Sequence, residues 1–312
     1  MIRVENLTKY YGKRLAVDNI SFNIEKGEIV GFLGPNGAGK TTTMRILTGF
    51  LAPTNGNAWI DDYNLSSNSL DARQHIGYLP EAVPLYTDMT VQDYLEFGGK
   101  LRGMETDKIE SRIDDVVEIC HLEEYFDVII GKLSKGFRQR VGVAQAIFHE
   151  PEVLILDEPT IGIDPIQVAM TRQLIKDLGK DHTILLSTHV LPEVSIICER
   201  VIIINDGQIV AEDSIENLSN TITGSKQIRL EIDGPTEEVT ERLRRVEGIN
   251  RVNTKDNHFI IEAFADQDPR SQIMAAVVEG GWTLLTMEST EMSLEDIFLS
   301  LTVEEEEEEE EG

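Results

Sequence analysis

Gly34-Pro35-Asn36-Gly37-Ala38-Gly39-Lys40-Thr41 has the spacing GxxxxGK[ST], that of a phosphate-binding loop. Its glycines let successive backbone N–H groups turn inward on an anion with no Cβ in the way. The residues on either side support the motif. Glu28 to Leu33 reads as a short buried strand, and Lys40 to Thr48 as a helix that Gly49 stops. The N-terminus of that helix adds partial positive charge at the loop. Lys40 can reach the β- and γ-phosphates of a nucleotide, and the hydroxyl of Thr41, with Thr42 beside it, can ligate Mg²⁺.

A second chemical element lies more than a hundred residues on. Val153 to Leu156 reads as an apolar strand, and it ends in Asp157 and Glu158. By themselves these two acids fit an acidic turn after a buried strand equally well. With a phosphate loop upstream, Asp157 is a candidate to hold Mg²⁺, and Glu158 to orient and polarise an attacking water. His75, His121, His149, His182 and His258 have no metal-ligand spacing and read as structural.

These residues need a scaffold, and the sequence outlines one. Residues 1–24 alternate strand-like runs around a turn at Tyr11-Gly12-Lys13, as in an antiparallel β-subdomain. Short strands follow at Asn57 to Asp61 and Gln74 to Leu79, then a loop bracketed by Pro80 and Pro84. From Thr90, with Asp93 in a capping box, the pattern becomes helical. A second helix opens at Thr106 and carries Ile109, Ile113, Val116, Val117 and Cys120 on one face. Ser134 to Phe148 reads as a further helix. Asp164-Pro165 starts another, which Gly179 closes. Strands at Thr183 to Ser187 and Val201 to Asn205 lead to a hairpin turn at Asp206-Gly207.

The Ser/Asn/Thr/Gly stretch 219–226 reads as a linker. Beyond it a β-α-β-β-α-β series over residues 227–301 predicts a small α+β ferredoxin-like domain. The last amphipathic segment is Ser293 to Leu301, and the tail 302–312, with its glutamate run, reads as disordered. The expected fold is therefore α/β: a P-loop NTPase core over residues 1–218 with antiparallel β and helical subdomains, and the accessory domain after it.

Bulk properties narrow the function. The net charge is −28, and −20 without the eight glutamates of the terminal run, which argues against general nucleic-acid binding. No apolar run reaches membrane-spanning length and no secretory signal pattern opens the chain, so any membrane role needs another subunit. Cys120 and Cys198 form no CxxC pair, in keeping with a reduced cytoplasmic setting.

Further pieces fall in a specific order. Leu133-Ser134-Lys135-Gly136-Phe137 stands 23 residues ahead of Asp157, Asp164 ends Ile161-Gly162-Ile163-Asp164, and His189 ends Ser187-Thr188-His189. With these motifs, residues 2 to about 218 resemble the nucleotide-binding subunits of ABC transporters, most of all the branch serving ABC-2-type exporters. The resemblance implies that Tyr11 stacks on adenine, that Glu158 is the catalytic carboxylate, and that His189 touches the γ-phosphate. It also implies that Ser134 and Gly136 contact ATP bound to the other subunit of a homodimer. Its expected ligands are ATP, ADP and Mg²⁺. Its expected partner is an integral membrane permease, docked on the helical subdomain between Tyr86 and about Phe126 and on the Glu81 loop. The protein would then sit on the inner face of the cell membrane. The C-terminal region, with no P-loop, metal cluster or catalytic pair, reads as regulatory or dimer-supporting.

Three motifs depart from the usual pattern of that family. LSKGF stands for LSGGQ. Glu81 in Tyr78-Leu79-Pro80-Glu81 replaces a glutamine: it can still ligate Mg²⁺ but adds negative charge beside a polyphosphate. In Ile161-Gly162-Ile163-Asp164 only Asp164 is a clear match. Two other readings are a soluble ABC ATPase that remodels a ribosome or DNA complex, and a low-turnover regulatory subunit. The first usually has two nucleotide domains or a coiled-coil insertion, absent here, and intact Glu158 and His189 argue against the second.

Overall fold

The computed structural model describes residues 1–222, 225–255, 257–264 and 267–290. The chain divides into two units, Met1–Glu212 and Asp213–Gly312.

In the first unit, β1 (Ile2–Tyr11) and β2 (Arg14–Ile24) form the expected hairpin. Then β3 (Ile29–Leu33) runs through the glycine-rich loop into α1 (Lys40–Leu47). Next come β4 (Asn55–Ile60), the two-residue β5 (Tyr63–Asn64), α2 (Ser69–Gln74) and β6 (Ile76–Leu79). A helical segment follows, with α3 (Val91–Leu101), α4 (Thr106–Ile119) and α5 (Lys135–Ile147). The chain returns through β7 (Val153–Asp157), α6 (Pro165–Leu178), β8 (Thr183–Thr188) and α7 (Leu191–Ile197). It closes with β9 (Arg200–Asn205) and β10 (Gln208–Ser214).

Two sheets result. One is antiparallel in the order β2-β1-β4-β5. The other has six strands in the order β10-β9-β3-β8-β7-β6, in which β6, β7, β8, β3 and β9 pair in parallel. Every residue of β7 and β8 is buried, the near-continuous burial of a parallel strand covered on both faces. Apolar side chains of both sheets, among them Leu7, Ile20, Phe22, Phe32 and Ile155, share one core with Met44 and Leu47 of α1.

Local signals set the helix ends. Thr90 Oγ1 accepts from the Asp93 N–H while the Asp93 carboxylate accepts from the Thr90 N–H, a complete capping box. Asp164 caps α6 by accepting from the Gln167 N–H, with Pro165 at the first helical position. Gly49, at φ 67°, follows the last turn of α1. The helix α2 carries no strong periodic or capping signal, which explains why the sequence reading passes over it.

The second unit corrects the linker boundary. A helix, α8 (Ile215–Ile222), enters residues 219–226, and β11 (Ser225–Asp233) begins before they end. The spacing of Ile215, Leu218 and Ile222 supplies a helical apolar stripe inside a polar composition, and periodicity overrides composition. Then come α9 (Thr236–Leu243), β12 (Ile249–Lys255), β13 (His258–Phe264), α10 (Arg270–Glu279) and β14 (Thr283–Thr290). The sheet order β12-β13-β11-β14, antiparallel throughout, is the ferredoxin-like arrangement. Ile228, Leu230 and Ile232 alternate inward along β11 onto Val239, Leu243, Phe259, Ile261, Ile273 and Val277, an independent apolar core. The segment Ser293 to Leu301 and the tail 302–312 lie outside the described residues.

Candidate active site

The strand order brings three chain segments to one edge. β3, β8 and β7 are neighbours and run in parallel, so their C-terminal ends open at the same place. The phosphate loop leaves β3, Thr188 and His189 end β8, and Asp157 and Glu158 end β7. The register pairs Leu33 with Thr188 and Asp157 with Ser187. This is the crevice at the carboxyl ends of strands where open α/β sheets bind ligands.

The loop is tightly constrained. Gly39 sits at φ 110°, and a Cβ there would lie 2.6 Å from the Ala16 carbonyl oxygen. A Cβ on Gly34 would lie 2.3 Å from the Ile204 carbonyl oxygen. Ala38 is buried. Lys40, also buried, donates from Nζ to the carbonyls of Gly34 at 2.7 Å and Pro35 at 3.1 Å, and lies 3.8 Å from Glu158 Oε1. Burial lowers the Lys40 pKa, and the neighbouring charges of Glu158 and Asp157 oppose that shift.

Beside the loop, Asp157 Oδ1 accepts from Ser187 Oγ and, at 3.4 Å, from Thr41 Oγ1. Its other oxygen, Oδ2, is buried with no hydrogen-bond partner among the described residues. Burial raises the Asp157 pKa, against these two hydrogen bonds. A carboxylate with one oxygen orphaned and the other beside a threonine hydroxyl suits a hard divalent cation. Mg²⁺ takes only one or two carboxylates and completes its shell with water and phosphate oxygens. The residues present therefore fit Mg²⁺.

Glu158 is only 6% exposed and has a left-handed backbone, φ 50°. Its N–H donates to the Ser187 carbonyl at 3.0 Å, and both its carboxylate oxygens lie 2.9 Å from His189 Nδ1. A carboxylate held by an imidazole and an ammonium group, at the mouth of a phosphate loop, is a competent acceptor for a water proton.

A cleft of about 390 Å³ opens here. It is lined by Asn36, Gly37, Gly39, Lys40, Thr41 and Thr42 of the loop and helix, with Glu158, Glu81, Tyr11, Arg14, Ala16 and Ile161. Tyr11 is 45% exposed, with Lys9 Nζ 5.6 Å from its ring centre. Arg14, Ala16 and Ile161 are cleft residues that the sequence does not announce; Arg14 lies on the strand after the Gly12-Lys13 turn, and only the folded hairpin carries it to Gly37. Among the other histidines, His149 contacts the Ile76 carbonyl and His182 that of Pro151, and each belongs to the scaffold.

Ser134 and Gly136 do not line this cleft. Ser134 is exposed and caps α5, accepting from the Phe137 N–H at 3.4 Å. Phe137 packs against Tyr125 with ring centres 3.9 Å apart and planes tilted by 37°, and Arg140 lies over its ring. Arg140 also donates to Gln167 Oε1 at 2.7 Å. Phe137, one of the two side chains of LSKGF that depart from LSGGQ, is thus held by contacts within the chain.

Comparison with known proteins gives the family. The ABC transporter family profile matches residues 17–161. The linearmycin resistance ATP-binding protein of Bacillus subtilis is 32% identical over 305 residues, covering 97% of this chain and 98% of the relative. The bacitracin transport ATP-binding protein of Bacillus licheniformis is 34% identical over 303 residues, covering 96% and 97%. Among solved structures, a dimeric bacterial ABC transporter cassette is similar with a TM-score of 0.63 and 27% identity, over 69% of this chain and 98% of the cassette. A post-hydrolysis dimer bound to ADP and Pi gives a TM-score of 0.63 at 26% identity, over 69% and 98%. The chain belongs to the ABC transporter ATP-binding proteins, a family of ATPases.

Proposed function

We propose that the protein is the ATP-hydrolysing subunit of a membrane exporter, working as a head-to-tail homodimer with ATP at the interface and driving a separate permease. The observation that carries this reading is the convergence of Lys40, Asp157, Glu158 and His189 at three adjacent strand ends. Tyr11 provides a face for adenine, and the backbone N–H groups of Asn36 to Thr42 cradle the phosphates. Lys40 turns from the Gly34 and Pro35 carbonyls toward the β- and γ-phosphates. Thr41 and Asp157 would hold Mg²⁺, with Glu81 at the cleft wall. When bound, the ion neutralises charge on the β- and γ-phosphates. Glu158 orients the attacking water and accepts its proton, while His189 fixes the carboxylate and approaches the γ-phosphate. No covalent enzyme intermediate forms.

Ser134 and Gly136 complete the partner's site rather than their own, in keeping with their absence from the cleft. Exposed apolar side chains at Tyr86, which packs on Phe97 of α3, and at Leu101, the last residue of α3, offer a permease apolar contacts on the helical segment. No helix among the described residues is long and apolar enough to cross a membrane, so the spanning falls to that partner. The relatives named for antibiotic resistance and transport favour export over remodelling of a ribosome. The second unit supports or regulates the dimer.

Differently tagged heterodimers of Lys40→Ala and Ser134→Arg test the composite site. Both lesions fall on one site and leave the other intact, so the heterodimer should trap and turn over ATP where each homodimer does not. Normal turnover by Ser134→Arg homodimers would overturn the shared site. Recovery of a ribosomal instead of a polytopic partner from solubilised membranes would overturn the exporter reading.

A further inference from the structure

Glu193, in the first turn of α7, has a role that neither its composition nor its spacing announces. Its carboxylate is 3% exposed, and burying a charge is unfavourable unless it is paired and hydrogen-bonded. Three partners meet it, each from a different element. Thr160 Oγ1 donates to Oε2 at 2.5 Å, and Thr188 Oγ1 lies 3.5 Å from the same oxygen. Arg172 Nη2, on α6, lies 3.4 Å from Oε1.

Two of those partners adjoin the site. Thr160 is two residues past Glu158, in the turn that the Ile161 N–H closes on the Glu158 carbonyl at 3.2 Å. Thr188 directly precedes His189, and its hydroxyl also accepts from the Val190 N–H at 3.0 Å. Glu158 and His189 therefore sit on two loops that one buried carboxylate ties together, and their side chains meet at 2.9 Å. Glu158 also needs such support. A non-glycine residue at φ 50° persists only where its surroundings over-determine the backbone.

We propose that Glu193 is a positioning residue for ATP hydrolysis, holding the Glu158 and His189 loops in register through Thr160 and Thr188. Among the described residues its hydrogen bonds and ion pair go to Thr160, Thr188 and Arg172 and not to the phosphate loop, so its effect falls on chemistry and not on nucleotide binding. The inference rests on the assignment of Glu158 and His189 to the hydrolytic step.

Steady-state hydrolysis and nucleotide binding of the full-length protein test it. Glu193→Ala should lower kcat roughly 10- to 100-fold, the scale at which misplacement of a reacting group is felt. KM for MgATP should stay within about twofold. Thr160→Val, which removes the same hydrogen bond from the other side, should reproduce the kcat loss. Glu193→Gln, whose amide oxygen still accepts from Thr160, should recover most of it. In a Glu158→Gln background, Glu193→Ala should cost much less in single-turnover hydrolysis than it does in the wild type, because Glu158, one of the two groups it positions, has gone. Wild-type kcat in Glu193→Ala, KM rising in step with the kcat loss, or losses that multiply in the Glu158→Gln background would each overturn the proposal. If Glu193→Ala does not fold, Thr160→Val decides alone, and wild-type kcat there overturns it. Normal turnover in Glu158→Gln would instead overturn the assignment of Glu158.

Discussion

Replacing Glu158 by glutamine separates binding from chemistry, because the change keeps the side chain's size and removes only its charge. Loss of a positioned general base costs about 10²- to 10⁴-fold, equivalent to about 2.7–5.4 kcal/mol of barrier. The structure predicts a second effect, on stability without nucleotide. Lys40 loses its ion-pair partner at 3.8 Å but keeps the carbonyls of Gly34 and Pro35. The cost is therefore set nearer a charge-assisted contact, about 1.5–3 kcal/mol, than the larger penalty of an orphaned buried charge. For a unit of this size that is about 2–4 °C of melting temperature per kcal/mol. ATP at 100 times its Kd should restore about 2.7 kcal/mol, since it binds only the folded state. The assays are phosphate release in single turnover and thermal melts with and without MgATP. Turnover within threefold of wild type would remove Glu158 from the proposed role, by a margin well below the expected loss. A melt that MgATP does not raise would refute the claim that binding survives.

Other consequences can be checked independently. Burial and the nearby Arg102 charge hold the His149 pKa down at about 4, against an ordinary 6.5. The unfolded chain binds the proton first as pH falls. This stabilisation is thus complete above pH 6.5 and is lost between 6.5 and about 4, at up to about 1.4 kcal/mol per unit before solvent screening. Stability from urea melts should fall with pH across that range for the wild type and fall less for His149→Gln; parallel pH dependences would refute the assignment. Gly39→Ala forces a Cβ to 2.6 Å from the Ala16 carbonyl at φ 110°, so it should cost about 1–3 kcal/mol and abolish ATP binding by calorimetry. A chain ended after Ser214, which retains β10, should fold and bind ATP with unchanged affinity; an insoluble product would show that the second unit is needed for folding.

Much of the chemistry was legible in the sequence because it is written locally. A phosphate loop, a strand ending in Asp157 and Glu158, and the caps at Thr90, Ser134 and Asp164 each depend on residues a few positions apart. Their spacing favours that backbone geometry through contacts local in sequence. The ferredoxin-like order was legible for the same reason: its alternating strands and helices admit few topologies. The family resemblance then supplied pairings that spacing alone leaves open.

What only the tertiary structure decided is which strand ends share an edge. Parallel pairing joins β3, β8 and β7 across 116 residues between Thr41 and Asp157, and no local pattern encodes that adjacency. The same non-local packing carries Arg14 to the cleft and ties Glu193 to Thr160, 33 residues earlier. It leaves Ser134 capping its own helix outside the cleft, although its motif is as plain in the sequence as the phosphate loop. Local sequence determines the shape of an element and the chemistry it carries. Burial of apolar faces between distant elements decides which chemistries meet.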